Sequence, residues 1–165
     1  MRRLQWLTVV LAVCFLAMVA SLRADDKAEK IPPDKLPKKI MDTVRARLPG
    51  AEVTSAEKEK EDGKVVYDLE LKHEGRKYEM DILEDGTLVE IEKEIAAKDV
   101  PEKVTKAIKE KYPTAIVKEV MEVNKVTGKE EKPIHYEVTI ETGGKTKEVI
   151  VSLDGKLKEE KKEEK

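Results

Sequence analysis

The groups that could do chemistry in this sequence are carboxylates, two histidines and a few serines. The stretch "DILEDG" (Asp81–Gly86) gathers acids as calcium loops do, but it lacks the alternating acids and the distal glutamate of an EF-hand. A hairpin turn explains it better, because glycine adopts positive φ at little cost. Neither His73 nor His135 has a second histidine at a metal-ligand spacing. We therefore expect no metal site, and we place both histidines on the surface or at its rim.

The serines and the glycine pair of this sequence do not form nucleophile or phosphate-binding motifs, because the residues or elements around them differ from those that the motifs require. Ser55 and Ser152 lie outside the G-x-S-x-G and S-x-x-K patterns of serine nucleophiles. Gly143 and Gly144 precede Lys145, but strand-like sequence flanks them on both sides, whereas a phosphate loop opens a helix. A carboxylate pair for glycoside hydrolysis needs a pocket, and so few aromatic residues suggest none. The sequence thus predicts a protein that is not an enzyme and needs no cofactor.

Two similar segments predict the helices that organise the chain. "LPKKIMDTVRARLPGAEV" (36–53) resembles "VPEKVTKAIKEKYPTAIV" (100–117), with matching residues 64 positions apart. In the first segment Ile40, Val44 and Leu48 follow an i, i+4, i+8 spacing, which puts them on one stripe of a helix. Prolines bound both segments; proline is tolerated in a first helical turn, and a following proline ends a helix. Each segment is therefore predicted to form an amphipathic helix of about three turns.

The hydrophobic pattern changes from helical to strand-like after each of these segments. Residues 65–71, 77–82 and 134–141 alternate apolar and polar side chains, which predicts strands with one buried and one wet face. Asp-Gly, Glu-Gly and Gly-Gly pairs between them predict hairpin turns. The tyrosines fall on the inward register. The outward register is mostly charged and consists of Asp68, Glu70, Lys72, Lys77, Glu79, Asp81, Glu137, Thr139, Glu141 and Glu148.

The strand segments of the two copies correspond at a separation of 69 positions rather than 64, so the second copy carries five extra residues. They fall in or near Asn124–Pro133, which predicts a longer hairpin loop. The predicted fold class is α+β, with two tandem repeats, each one helix packed on about four antiparallel strands. The repeats are predicted at residues 36–95 and 96–160. The pattern leaves open whether they share one sheet.

The N-terminus predicts export. "MRR" precedes the uncharged apolar run Leu4–Ala20, and small residues follow, which indicates a signal peptide at 1–24. An uncleaved anchor is the alternative, but the run is short for a membrane-spanning helix of about 20 residues. Cleavage removes Cys14, the single cysteine, and leaves 30 basic against 35 acidic residues. This mild acidity argues against nucleic-acid binding. We expect no stable membrane insertion after cleavage, a disordered lead at 25–35 and a charged tail at 161–165.

The overall layout resembles a known family. A helix bounded by prolines, followed by alternating strands with an Asp-Gly hairpin, is similar to PepSY-like domains, in particular the group called putative β-lactamase-inhibitor-like, PepSY-like. The resemblance covers about residues 36–160 and implies a secreted or periplasmic helix-and-sheet protein, without shared catalytic residues, that binds or inhibits an extracytoplasmic enzyme. The inhibitors that it resembles use an aromatic-rich outer sheet surface, whereas the outward register here is charged. The residues that carry the resemblance, with their first-copy counterparts, are Pro101, Val104, Ile108, Tyr112, Pro113, Tyr136, Asp154 and Gly155.

We therefore expect a periplasmic or extracellular binding or inhibitor-like module that recognises an extracytoplasmic protein or enzyme. The outer sheet face is the candidate surface, with Tyr78 and His135 as individual candidates. The alternatives are a scavenger of cations or small ligands and a structural repeat of the cell envelope. A cation binder would gain melting temperature with calcium or zinc, whereas an inhibitor would form a stoichiometric complex. The predicted binding residues are Glu70, Lys72, Glu79, His135, Glu137 and Glu141.

Overall fold

The computed structural model describes residues 28–61 and 63–161. Within these residues, nine strands form one antiparallel sheet in which each strand pairs with the next along the chain. A short 3-10 helix lies at Pro33–Lys35, and the α-helices are α1 (Lys38–Arg47) and α2 (Glu102–Lys111). Neither of these described helices is long and apolar enough to span a membrane. The strands are β1 (Glu29–Lys30), β2 (Glu52–Glu61), β3 (Lys64–His73), β4 (Arg76–Leu83), β5 (Leu88–Glu94), β6 (Ile116–Thr127), β7 (Glu130–Thr142), β8 (Lys145–Ser152) and β9 (Leu157–Lys161).

The predicted fold class is wrong, because the strands of both halves form one continuous nine-stranded antiparallel sheet with two helices instead of two tandem helix-and-strand repeats. β5 pairs with β6 across the connection that contains α2: Glu90 is opposite Lys125, and Glu94 is opposite Met121. The sheet therefore continues without a break from β1 to β9. The prediction failed because alternation within a strand defines its two faces but carries no information about which distant strand it pairs with.

Both helices pack on the same face of this sheet, and each covers an apolar cluster. Ile40 and Val44 of α1 are buried against side chains of β2 to β5. Val104 and Ile108 of α2 are buried against side chains of β6 to β9. Burying one such side chain contributes about 1.5–3 kcal/mol, so these stripes hold the helices on the sheet. The predicted amphipathic helices and the inward register of the strands are confirmed.

Two of the predicted Asp-Gly turns lie where the helices approach the sheet. The Thr43 hydroxyl on α1 donates to the carbonyl oxygen of Gly86 at 2.7 Å. Gly155 has φ +84°, and a Cβ there would lie 3.0 Å from the Cβ and the carbonyl oxygen of Lys103 on α2. Positive φ and this close approach both require glycine at position 155. The turns thus set the distance at which each helix packs.

The five extra residues of the second half lengthen a hairpin instead of forming the predicted longer loop, so that prediction is wrong. β6 continues to Thr127 and β7 begins at Glu130, which leaves a two-residue turn. The longer hairpin reaches the first apolar cluster, where Val126 packs. Glu131 forms an ion pair with Arg47 of α1. The insertion therefore ties the two halves of the sheet together.

The described part of the predicted lead at 25–35 contains a short strand and a 3-10 helix. Glu29 and Lys30 pair with Lys58 and Glu57 of β2, and the 3-10 helix follows. The backbone N–H of Ile31 also donates to the carbonyl oxygen of Ala56 at 2.9 Å. The predicted signal peptide at 1–24 lies outside the described residues, as do residues 162–165 of the predicted tail.

Candidate protein-binding face

The sheet face opposite the helices, called the outer face below, carries all six predicted binding residues. Glu70, Glu79 and His135 lie in one transverse row, whose residues are Cα partners from strand to strand. Glu92 and Val123 stand between Glu79 and His135 in that row. From β2 to β8 the row is Ser55, Glu70, Glu79, Glu92, Val123, His135 and Ser152.

The remaining predicted residues lie in neighbouring rows. Lys72 is opposite Lys77, and Glu137 stands between Met121 and Ile150. Glu141 lies near the start of β6, where it pairs with the Lys118 ammonium at 2.6 Å. The six residues therefore form two groups, one on β3 and β4 and one along β7, with β5 and β6 between them.

The predicted candidate Tyr78 is not on this face. Its side chain belongs to the apolar cluster under α1 and is only 9% exposed. Its ring packs edge-on against His73, with ring centroids 6.0 Å apart. His135, in contrast, is on the outer face as expected, with a side chain that is 16% exposed and an Nε2 atom 3.2 Å from Glu137 Oε1. Of the two individual candidates, only His135 can contact a partner bound to the outer face.

A row of carboxylates crosses the outer face next to these residues. Glu57, Asp68, Asp81 and Glu90 are successive Cα partners on β2, β3, β4 and β5. Like charges directly opposite each other in a sheet are destabilising. In the described part of the chain, no lysine or arginine nitrogen comes within 4.0 Å of the carboxylate of Asp68 or Asp81. The negative charge of Asp68 and Asp81 in the middle of this row therefore has no lysine or arginine at ion-pair distance among the described residues, whereas Glu57 pairs with Lys30 at 3.7 Å and Glu90 is opposite Lys125.

This crowding changes the acidity of the row. Burial, followed by the negative charges of Glu79, Glu59 and other neighbours, raises the pKa of Asp68 to about 6. Burial, followed by the charges of Asp68 and Glu90, raises the pKa of Asp81 to about 7. Each shift means that the folded protein disfavours the ionised carboxylate relative to the unfolded chain. A partner that supplied positive charge here would relieve that cost.

Lys77 is a predicted outward residue of the first half, and its ammonium contacts several carboxylates of the outer face. Its ammonium lies 2.7 Å from Glu79, 3.6 Å from Glu119 and 3.9 Å from Glu70. Burial alone would lower the pKa of Lys77, but the hydrogen bond and charge of Glu79, with the charges of Glu119 and Glu70, raise it overall. Lys77 therefore stays charged and fixes three carboxylates from three different strands around it.

The outer face also contains three buried apolar residues, called the apolar floor below, which were not predicted from the sequence. Met121 and Val123 on β6 and Ile150 on β8 are buried, although both helices lie on the other side of the sheet. Longer charged side chains of the same face must cover them, as amphipathic side chains commonly do. The signal was present, because these three residues occupy the outward register of their strands.

Glu92 lies beside this floor, opposite Val123. Burial, followed by the charges of Glu137 and Glu79, raises the pKa of Glu92 to about 9. Of Asp68, Asp81 and Glu92, Glu92 is therefore the carboxylate whose charge the fold disfavours most strongly. It links the two groups of predicted residues, because it is the register neighbour of Glu79 and interacts with Glu137 across β6.

Ser152, His135 and Glu137 meet on the outer face in an order that could suggest nucleophilic catalysis, but the serine serves a turn. Ser152 is the Cα partner of His135. Its hydroxyl donates to the Asp154 carboxylate and accepts from the backbone N–H of Lys156 at 3.0 Å. Those bonds hold the turn between β8 and β9, so the hydroxyl is engaged there rather than aimed at a substrate. Within the described residues, no group of three histidine, cysteine or acidic side chains is arranged to hold a metal ion.

Family profiles place the chain among known proteins. Residues 65–159 match the family described as "Putative beta-lactamase-inhibitor-like, PepSY-like", which is more than half of the chain. The chain belongs to the PepSY-like family. Residues 37–82 of this PepSY-like chain also match the "Peptidase propeptide and YPEB domain" family. The predicted family resemblance is confirmed, whereas two tandem copies of the domain are not.

Solved structures from Bacteroides share the fold of this PepSY-like chain. A BLIP-like protein from Bacteroides fragilis is 24% identical, with a TM-score of 0.51 over 79% of this chain and 86% of that one. A "putative periplasmic" protein from Bacteroides eggerthii is 13% identical, with a TM-score of 0.56 over 76% and 87%. A DUF2874 family protein from Bacteroides uniformis is 14% identical, with a TM-score of 0.55 over 76% and 88%. No curated protein matched the chain.

Proposed function

We propose that this PepSY-like chain is an exported, non-enzymatic binding module, inhibitor-like in type, that recognises a protein in the periplasm or outside the cell. The outer face is its binding surface. The observation that carries the proposal is the row of opposed carboxylates, Glu57, Asp68, Asp81 and Glu90, on the face that neither described helix covers. Family membership and the predicted signal peptide support the location and the type of module.

The chemistry of the outer face favours a partner with a basic surface. Carboxylates that cost free energy in the free protein become favourable when a cation faces them, because the opposing charge offsets both crowding and burial. The buried apolar floor of Met121, Val123 and Ile150 adds a layer that a partner can reach only by displacing the charged side chains above it. Binding should therefore weaken with rising salt and with falling pH, since protons compete with the partner for Asp68 and Asp81.

The test is affinity capture. The purified chain of residues 25–165 is the bait, and it is exposed to the periplasmic and secreted fractions of the source organism. The outer-face variant combines Glu70→Lys, Glu79→Lys and Glu137→Lys. Its matched control makes the same change of charge on the helices, with Glu102→Lys, Glu110→Lys and Asp42→Lys, which are exposed or largely exposed positions.

We expect one stoichiometric protein partner that the wild type and the helix control retain and the outer-face variant loses. Circular dichroism of each variant confirms that it is folded before capture. A partner that binds the outer-face variant as well as the wild type would contradict the assigned surface. The absence of any reproducible partner would contradict the binding function, and would favour the alternatives of a ligand scavenger or a structural envelope protein.

A further inference from the structure

A pocket of about 200 Å³ lies between the start of α2, the connection from β5 to α2, and the first residues of β6. Val100, Val104 and Ile108 form its helix side. Val117, Val120 and Val138 form its sheet side. These side chains belong to or border the cluster beneath α2, so the pocket opens into the apolar core of the second half and is separate from the carboxylate row of the outer face.

The residues that leave this space open can be identified by comparison with α1. Met41 packs on the cluster beneath α1, and the residue 64 positions later is Thr105, which lines the pocket. Leu69 is fully buried in the first half, and the residue 69 positions later is the smaller Val138. Val120 is larger than its counterpart Ala56, but its extra side-chain volume replaces only part of the volume lost at positions 105 and 138. Val104 is likewise smaller than its counterpart Ile40, whereas Ile108 is larger than Val44, so the shorter side chains that leave room here are at positions 104, 105 and 138.

The polar side chains that line the pocket are engaged with other residues, and the Glu94 carboxylate accepts from the backbone N–H of Lys77 at 3.0 Å. The Thr105 hydroxyl donates to the carbonyl oxygen of Glu102 at 2.8 Å. Lys118 pairs with Glu141 at 2.6 Å, and Glu119 pairs with Lys77 at 3.6 Å. A ligand with a formal charge would therefore be desolvated by the apolar wall without gaining a dedicated counter-charge. The lining selects for an uncharged molecule.

The mouth of the pocket is apolar as well. Val117, which lines it, is 43% exposed, and its neighbour Ile116 is 57% exposed. They are the large hydrophobic residues that stand out as exposed in the described part of the chain. An apolar molecule that enters the pocket can therefore contact exposed apolar side chains beside the charged lining residues Glu94, Lys118 and Glu119.

We propose that the pocket beneath the start of α2 is a binding site for a small uncharged apolar molecule, with one aromatic ring system or a branched aliphatic group of about six to ten non-hydrogen atoms. A dry apolar cavity of about 150 Å³ is known to accept benzene, and 200 Å³ accommodates a molecule the size of indole. The pocket does not include the carboxylate row of the outer face, so its test does not require the protein partner.

The test is a titration of the ¹⁵N-labelled chain, residues 25–165, with indole, followed by NMR. We expect saturable shifts confined to amides around Val104, Thr105, Val117 and Val120, with a Kd of about 1 mM or tighter, which is typical of so small a ligand. Indole-3-acetate, which carries a charge, should bind more weakly. No saturable shift of these amides up to the solubility of indole would overturn the proposal, as would equal or tighter binding of indole-3-acetate.

Filling the pocket provides the decisive control. Thr105→Met places in α2 the side chain that α1 carries at Met41, and Val138→Leu fills the same space from the sheet side. Both variants should lose indole binding, and Thr105→Met should unfold at a temperature a few degrees higher. Lys106→Met adds the same side chain at an exposed neighbouring position and should bind indole normally. Unchanged indole binding in both filled variants would overturn the site.

Discussion

Replacing Asp81 with asparagine should stabilise the protein above neutral pH. Asp81 stands between Asp68 and Glu90 on the outer face, and burial followed by these charges raises its pKa from 3.8 to about 7. Because the folded state binds this proton more tightly than the unfolded state does, the side chain costs no stability below about pH 4. The cost grows as the pH rises toward 7 and is complete above it.

The size of the effect follows from the same shift. A rise from 3.8 to about 7 corresponds to about 4 kcal/mol at 1.36 kcal/mol per pKa unit. Asp81 is only partly buried, so solvent and counterions screen part of its charge, and we expect about 1–2 kcal/mol. Asp81→Asn should therefore raise the free energy of unfolding by about 1–2 kcal/mol at pH 8 and change it little at pH 4.

Urea denaturation followed by circular dichroism, at pH 4, 6 and 8, measures this difference. Glu84→Gln is the matched control, because Glu84 is an exposed carboxylate in the turn that follows Asp81. It should change stability by less than about 0.5 kcal/mol at each pH. An Asp81→Asn variant that is no more stable than wild type at pH 8, or equally stabilised at pH 4 and pH 8, would refute the assignment of a disfavoured charge to Asp81.

Three further changes test the fold and the outer face by urea denaturation. Leu69→Ala removes a fully buried side chain from the first cluster and should cost about 2–5 kcal/mol; a cost below 1 kcal/mol would contradict that packing. Gly155→Ala should cost about 2–3 kcal/mol, because positive φ and the contact with Lys103 act together, whereas Gly144→Ala, with open space around it, should cost about 1 kcal/mol. Lys77→Met removes the cation shared by three carboxylates and should cost about 1–2 kcal/mol at pH 8 in low salt and less in high salt, which screens these ion pairs; a loss independent of salt would indicate packing alone.

Local features of the fold could be predicted from the sequence, because each depends on a short stretch of chain. The i, i+4 spacing of Ile40 and Val44 gave α1, and its position between Pro37 and Pro49 gave its length. Pro37 stands at the N-cap rather than inside the first turn, which is a difference of one residue. Alternation around Leu69 and Val138 correctly assigned the inward face of β3 and β7.

The errors concern information that a short pattern does not contain. Pairing of Glu90 with Lys125 joins strands separated by a helix, so two repeats and one sheet have the same local sequence pattern. The segment Asn124–Pro133 is polar enough to resemble a loop, although its single glycine, Gly128, is sufficient for a tight turn between longer strands.

The candidate site shows the same division between local and nonlocal information. The outward register of Glu70 and Glu79 follows from alternation, but their alignment with Glu92 depends on pairing across β4 and β5. Burial of Met121 and Val123 on the outer face likewise depends on how neighbouring charged side chains lie over them. The sequence pattern thus assigned these residues to the outer face without revealing the buried apolar residues and the aligned carboxylates that make that face distinctive.

Carboxylate footprinting of the complex with the captured partner tests the binding face most directly. Free and bound protein are labelled at carboxyl groups and compared by mass spectrometry. We expect Glu57, Glu70 and Glu79 on the outer face to be labelled less in the complex, while Glu102 and Glu110 on α2 are labelled equally in both states. Protection of the helix carboxylates with unchanged labelling of the outer face would show that the partner binds elsewhere.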